Sequence, residues 1–202
     1  MPIATEKVLE HMRGQVGEVW PLWQEWFPGE QIERPDLGLV RTLDGGADEE
    51  GEGEYPSFKL DEFTLNAVPV GHGDTDDSTV LWSPDLKLVV AGDVVYNGGF
   101  QYIPESITLE GRQSWIDAVE KVRALGPTSV VTGHKRPGAV DGAWTLDWTQ
   151  QYLKTWGENA DLVRKDGGGA KEMFEKMKKA FPDNVGDFIL WTSALAQFAE
   201  GK

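Results

Sequence analysis

Three residues of this sequence combine the side-chain types and the spacing of a metal site: His72, Asp93 and His134. Each follows an apolar run and has a glycine directly beside it. The whole sequence contains only three histidines, and two of them belong to this pattern. A hydrolytic zinc site needs imidazole and carboxylate ligands around a position that stays open to water. The residues therefore suggest metal-assisted hydrolysis.

The apolar runs around these residues have the patterns of buried strands. They cover residues 63–70, 79–82, 86–91 and 129–132. Strand ends hold side chains rigidly while the adjoining loops leave room for a substrate, and the glycines let the backbone turn sharply there. We therefore expect His72, Asp93 and His134 to meet at one edge of one sheet. Taken singly, each residue could instead cap a turn by bonding to nearby backbone groups.

Helical periodicity predicts the elements that surround this sheet. An amphipathic helix is expected after Thr5, and a crossover helix is expected over residues 115–125. Residues 37–43 are predicted to form a short strand, and residues 44–54 an exposed acidic, glycine-rich loop. The C-terminal part, residues 144–202, is predicted to be a helical cover, with helices over 146–163, 170–181 and 187–199. This order of elements predicts an α/β (α+β) fold.

Composition excludes several classes of partner. The net charge is −15 and the isoelectric point is near 4.5, so the protein would repel phosphate backbones and anionic lipid headgroups. We expect neither a nucleic acid nor a membrane as partner. There is no cysteine, so a metal must be held by His, Asp or Glu. With no signal pattern and no apolar span of about 20 residues, a soluble, cytoplasmic protein is expected.

Residues 70–79, 89–97 and 130–138 together resemble the metallo-β-lactamase-fold hydrolase superfamily. The resemblance runs from about Ala4 to the C-terminus. It implies the C-terminal part of an αββα sandwich, forming one domain over residues 1–202 that is incomplete at its N-terminus and has extra helices at its C-terminus.

The same resemblance implies roles for the three residues. His72 would bind one metal ion, His134 would bind the other, and Asp93 would bridge the two. Zinc is the implied cofactor, as one or two ions, although His and Asp ligands also accept iron or manganese. The implied reaction is attack by metal-bound hydroxide on an ester, lactone, thioester or amide carbonyl of a small-molecule substrate.

One expected feature of the superfamily is missing from the sequence. Members also carry an HxHxDH motif, and the third histidine here, His11, belongs to no such motif. We expect His11 to be a surface or structural residue. Three ligands shared between two ions would leave both underliganded, so weak metal binding is expected. The alternative function is a degenerate, non-catalytic member that acts as a binding or regulatory module.

Two further expectations concern the surroundings of the site. Tyr96, Asn97, Tyr102 and Glu105 follow Asp93 on a predicted loop, where they would line a substrate pocket or serve a purely structural role. The absence of the first sheet of the sandwich would leave apolar surface and a sheet edge to be covered. A homo-oligomer or a complementing subunit is therefore expected.

Overall fold

The computed structural model describes residues 2–29, 31–43 and 55–199, which form seven strands and five α-helices. In chain order the elements are β1 (Ile3–Ala4), α1 (Glu6–Trp26), a 3-10 helix (Leu37–Leu39), β2 (Arg41–Thr42), β3 (Ser57–Leu60), β4 (Phe63–Gly71), β5 (Ser78–Ser83), β6 (Leu88–Gly92), α2 (Leu109–Ala124), β7 (Ser129–Thr132), α3 (Trp144–Lys165), α4 (Ala170–Ala180) and α5 (Asp187–Gln197). One sheet has the strand order β3-β4-β5-β6-β7, and β1 pairs with β2. The predicted mixed α/β fold with C-terminal helices is confirmed.

Two compact units make up the chain, Met1–Val68 and Pro69–Lys202. In the first unit, β1 pairs in parallel with β2, and β3 forms an antiparallel hairpin with β4. α1 begins after Thr5, which makes no side-chain capping bond. None of the helices in the described part of the chain is long and apolar enough to cross a membrane.

The prediction of a strand over residues 37–43 is wrong for its first three residues, Leu37–Leu39, which form a 3-10 helix. The Asp36 carboxylate accepts a hydrogen bond of 2.9 Å from the Gly38 amide, which closes a tight turn and starts the 3-10 helix Leu37–Leu39. Such a side-chain bond offers the backbone an alternative to strand pairing. Only Arg41–Thr42 forms a strand. The acidic loop predicted at 44–54 lies outside the described residues.

The second unit brings the ends of β6 and β7 to the same edge of the sheet. β5 and β6 are antiparallel, whereas β6 and β7 are parallel and are connected through α2. Val89 lies opposite Val130 and Gly92 opposite Thr132, with an irregularity after Val90. Because both strands end in this register, the residues that follow them emerge side by side.

Apolar side chains of the helices fix the second unit around the sheet. α2 buries Trp115, Val119 and Val122, which recur at three- and four-residue spacing along one face of the helix. α3 is held against α5 by a 2.8 Å hydrogen bond from the Trp156 indole to the Gln197 side chain. The helices therefore form a packed layer that supports the loops after β6 and β7.

Candidate functional site

Asp93 and His134 lie beside each other directly after β6 and β7. Oδ2 of Asp93 is 3.5 Å from Nε2 of His134. The Gly133 amide donates a 2.8 Å hydrogen bond to the Gly92 carbonyl, which ties the two strand ends together. A Cβ on Gly133 would overlap Oδ1 of Asp93 and would lie 2.7 Å from the Gly92 carbonyl carbon. Glycine at this position therefore allows the close approach.

Tyr96 connects this pair to the helices. It is buried, and the centroid of its ring lies 5.4 Å from that of the His134 ring and 6.1 Å from that of the Trp115 ring, in an edge-to-face arrangement with Trp115. The Trp115 indole donates a 2.9 Å hydrogen bond to the Val94 carbonyl. Burial is the main cause that raises the pKa of Tyr96, so its hydroxyl keeps its proton. The loop after β6 is thus held by packing as well as by hydrogen bonds.

A cavity of about 240 Å³ opens beside Asp93 and His134. Its polar or charged lining residues are Asp74, Asp93, Tyr96, Tyr102, His134 and Lys135, and Phe100, Val185 and Ile189 supply apolar walls. Lys135 is paired with Asp141 at 2.8 Å. A cavity that combines apolar walls with a few polar groups is the usual form of a small-molecule site.

Asp74 is the site residue that the sequence interpretation missed. Burial, followed by the nearby negative charge of Asp93, raises its pKa to about 7. A carboxyl with that pKa holds its proton for part of the time at neutral pH. The sequence could have indicated Asp74 only by its position, two residues after His72 in the same segment. Nothing in the sequence indicates that the Asp74 side chain is buried.

His72 lies outside the lining of this cavity. Its Nδ1 is 2.6 Å from Oδ1 of Asp76, and its Nε2 is 2.7 Å from Oγ of Ser106. Both ring nitrogens therefore have hydrogen-bond partners. A neutral imidazole has one donor and one acceptor nitrogen, and these two contacts use both.

The four predicted pocket residues have different environments. Tyr96 and Tyr102 line the cavity, whereas Asn97 and Glu105 do not. Asn97 is buried; its side-chain amide donates to the Val140 carbonyl at 2.9 Å, and its backbone amide donates to the His134 carbonyl at 2.9 Å. Asn97 thus fixes the loop that presents His134. Glu105 is exposed.

The site residues, as the structure positions them, supply only part of the ligand set of a metal ion. Within residues 2–29, 31–43 and 55–199, no three His, Asp or Glu side chains are grouped closely enough to hold one. Asp93 and His134 form a pair, and the nitrogens of His72 are engaged with Asp76 and Ser106. A zinc centre normally has three or four protein ligands.

A sequence model of the Metallo-beta-lactamase superfamily matches residues 12–134, more than half of the chain. The chain therefore belongs to the metallo-β-lactamase superfamily. No curated protein matches it.

Solved structures are similar in fold. A Beta-lactamase domain protein from Burkholderia ambifaria has 17% identity and a TM-score of 0.50, with 82% of this chain and 46% of that chain covered. A metallo-beta-lactamase from Pontibacter korlensis has 16% identity and a TM-score of 0.46, with 76% and 58% covered. A metallo-beta-lactamase family protein from Thermus thermophilus has 16% identity and a TM-score of 0.46, with 70% and 44% covered. The chain spans about half the length of these structures.

Proposed function

We propose that this chain contributes to a metal-dependent hydrolase site of the superfamily, acting on an ester, lactone, thioester or amide of a small molecule. The observation that carries the proposal is the Asp93–His134 pair, 3.5 Å apart at the ends of two parallel strands and beside a cavity of about 240 Å³. Membership of the superfamily supports the reaction class.

His72, Asp93 and His134 are the proposed ligands, and zinc is the proposed metal, with iron or manganese as the other ions that such ligands accept. For His72 to take part, its Nε2 must exchange the hydrogen bond with Ser106 for the metal. Three ligands are fewer than two ions need, so a two-metal site requires additional ligands.

The cavity residues have separate roles in this proposal. Phe100 and Ile189 would pack against the apolar part of the substrate. Tyr102 would orient a polar group of the substrate through its hydroxyl. Asn97 would keep His134 in position through the hydrogen bond from its backbone amide to the His134 carbonyl.

Zinc titration and a substrate panel test the proposal together. We expect one zinc ion per chain with a dissociation constant weaker than about 1 µM, because too few ligands are present for tight binding. Asp93→Asn should weaken zinc binding at least tenfold. Asp85→Asn is the matched control, because Asp85 is exposed at the opposite end of β6.

Hydrolysis is measured on ester, lactone, thioester and amide substrates with zinc, iron or manganese added. Any turnover by the chain should require metal and should disappear in Asp93→Asn but persist in Asp85→Asn. Zinc binding and turnover that are the same in both variants would contradict the proposed site.

A binding or regulatory module remains the second candidate. The observation that favours it is His72, whose two ring nitrogens already have partners in Asp76 and Ser106. This candidate predicts no zinc binding at millimolar metal and no turnover with any of the three metals, while the cavity still binds small molecules. Metal-dependent turnover by the chain would exclude it.

A further inference from the structure

A second cavity, different in character from the first, lies between α2, α3 and α5. Its volume is about 310 Å³, and its polar or charged lining residues are Thr108, Arg112, Asp161, Arg164 and Gln197. Two guanidinium groups face one carboxylate there, so the lining carries a net positive charge. The chain as a whole has a net charge of −15, which makes a positive cavity unusual in this protein.

Arg112 is the most informative residue of this cavity. Only 6% of it is exposed, although arginine is almost never fully buried without a partner. Its Nη1 donates to the Ile107 carbonyl at 2.6 Å and to the Ser106 carbonyl at 3.4 Å. Among the described residues, its Nε and Nη2 have no hydrogen-bond acceptor. Burial is the largest cause that lowers its pKa, so an added anion would stabilise the charged guanidinium.

The two guanidinium groups of the cavity have different surroundings. Arg112 lies against α3 at Gly157, where a Cβ would come within 3.2 Å of its Nε. The Arg164 guanidinium lies 5.5 Å from the centroid of the Phe198 ring, and its Nη1 is 3.4 Å from Oδ1 of Asp161. Arg112 is therefore fixed by packing, whereas Arg164 is a half-exposed side chain of the same cavity, and Asp161 only partly neutralises the two cations.

We propose that this cavity, which we call the Arg112 cavity, binds a small molecule bearing an oxyanion, either a carboxylate or a phosphate. The anion would accept hydrogen bonds from Arg112 and Arg164, whose planar forks match both groups. The Thr108 hydroxyl would add a further donor. This site is separate from the proposed hydrolase site and assigns a second ligand to the protein.

The geometry also connects the Arg112 cavity to His72. Arg112 holds the carbonyl of Ser106, and the hydroxyl of Ser106 contacts Nε2 of His72 at 2.7 Å. An anion that shifts Arg112 therefore acts on the segment that restrains a proposed metal ligand. Anion binding to the Arg112 cavity can be measured independently of this connection and of hydrolytic activity.

Inorganic phosphate and acetate are the probes, titrated separately at constant ionic strength while the Arg112 Nε–H resonance is followed by NMR. We expect saturable shifts with a dissociation constant of about 1 mM for at least one probe. The probe that saturates identifies the oxyanion, since phosphate and acetate differ in charge and geometry. Failure of both to give a saturable shift would overturn the proposal.

Three variants sharpen the test. Arg164→Gln leaves Arg112 untouched and should weaken binding by about tenfold, because one charged donor is lost. Asp161→Asn removes the competing carboxylate and should tighten binding by about fivefold. Glu175→Gln, an exposed change on α4 with the same charge difference, should change binding less than twofold. Equal tightening by Asp161→Asn and Glu175→Gln would show that only net charge matters and would refute a built site.

Discussion

Replacing Gly133 by alanine is predicted to destabilise the protein and to separate Asp93 from His134. A Cβ at this position would overlap Oδ1 of Asp93 and would come within 2.7 Å of the Gly92 carbonyl carbon and 2.9 Å of the Asp93 amide nitrogen. Two of these three neighbours are backbone atoms, so rotation of the Asp93 side chain would relieve only the contact with Oδ1. The strand ends must move apart.

The expected cost follows from overpacking at a rigid position, about 2–3 kcal/mol. In a chain of 202 residues that cost lowers the melting temperature by about 4–12 °C. Displacing the Asp93 carboxylate should also weaken zinc binding by about tenfold, because the 3.5 Å approach of Asp93 to His134 is lost.

Gly99→Ala is the matched control for this substitution. Gly99 lines the same cavity, but a Cβ there would meet its neighbours, including the Tyr96 ring and His134 Cβ, no closer than 3.8 Å. Thermal unfolding and zinc titration of the two variants are compared with the unsubstituted protein. A melting temperature and zinc affinity of Gly133→Ala equal to those of Gly99→Ala would refute the steric argument.

Three other substitutions give independent checks. Ser106→Ala removes the hydrogen bond to Nε2 of His72, which must otherwise be broken before His72 can bind zinc. Zinc binding should therefore tighten by about fivefold, since a net hydrogen bond is worth about 1 kcal/mol. Weaker zinc binding in a titration would show instead that Ser106 supports the metal site. Trp115→Phe leaves the Val94 carbonyl without its 2.9 Å donor. The free energy of unfolding, measured with a denaturant, should fall by about 2–4 kcal/mol. A decrease of less than about 1 kcal/mol would contradict this role of Trp115. Gly17 lies at an exposed helical position where an added Cβ would meet nothing within 4 Å. Gly17→Ala should therefore stabilise the protein by about 0.5–1 kcal/mol. A lower melting temperature of this variant would contradict the absence of contacts.

The strands and helices of the second unit were predictable because their patterns reflect local burial. The apolar run at residues 86–91 became β6, and the spacing of Trp115 and Val119 marked the buried face of α2. β3 was not predicted, because Ser57–Leu60 is short and partly polar. Its strand conformation comes from pairing with β4, in which Lys59 lies opposite Thr64.

The candidate site shows the same division between local and distant causes. The proximity of Asp93 and His134 follows from two strand ends with glycines, which the sequence displays. The position of His72 depends on Ser106, which is 34 residues away and has no spacing signal. The Arg112 cavity was likewise invisible in the sequence, because residues on three helices form it. Its positive charge was hidden by the strongly acidic composition.

An anomalous diffraction map from zinc-soaked crystals, recorded at the zinc absorption edge, would show directly whether Asp93 and His134 bind a metal ion. We expect a peak about 2.0–2.2 Å from both Nε2 of His134 and the Asp93 carboxylate, and this peak should be absent from the Asp93→Asn protein. A strong zinc peak elsewhere in the second unit, with none between Asp93 and His134, would contradict the proposed metal site.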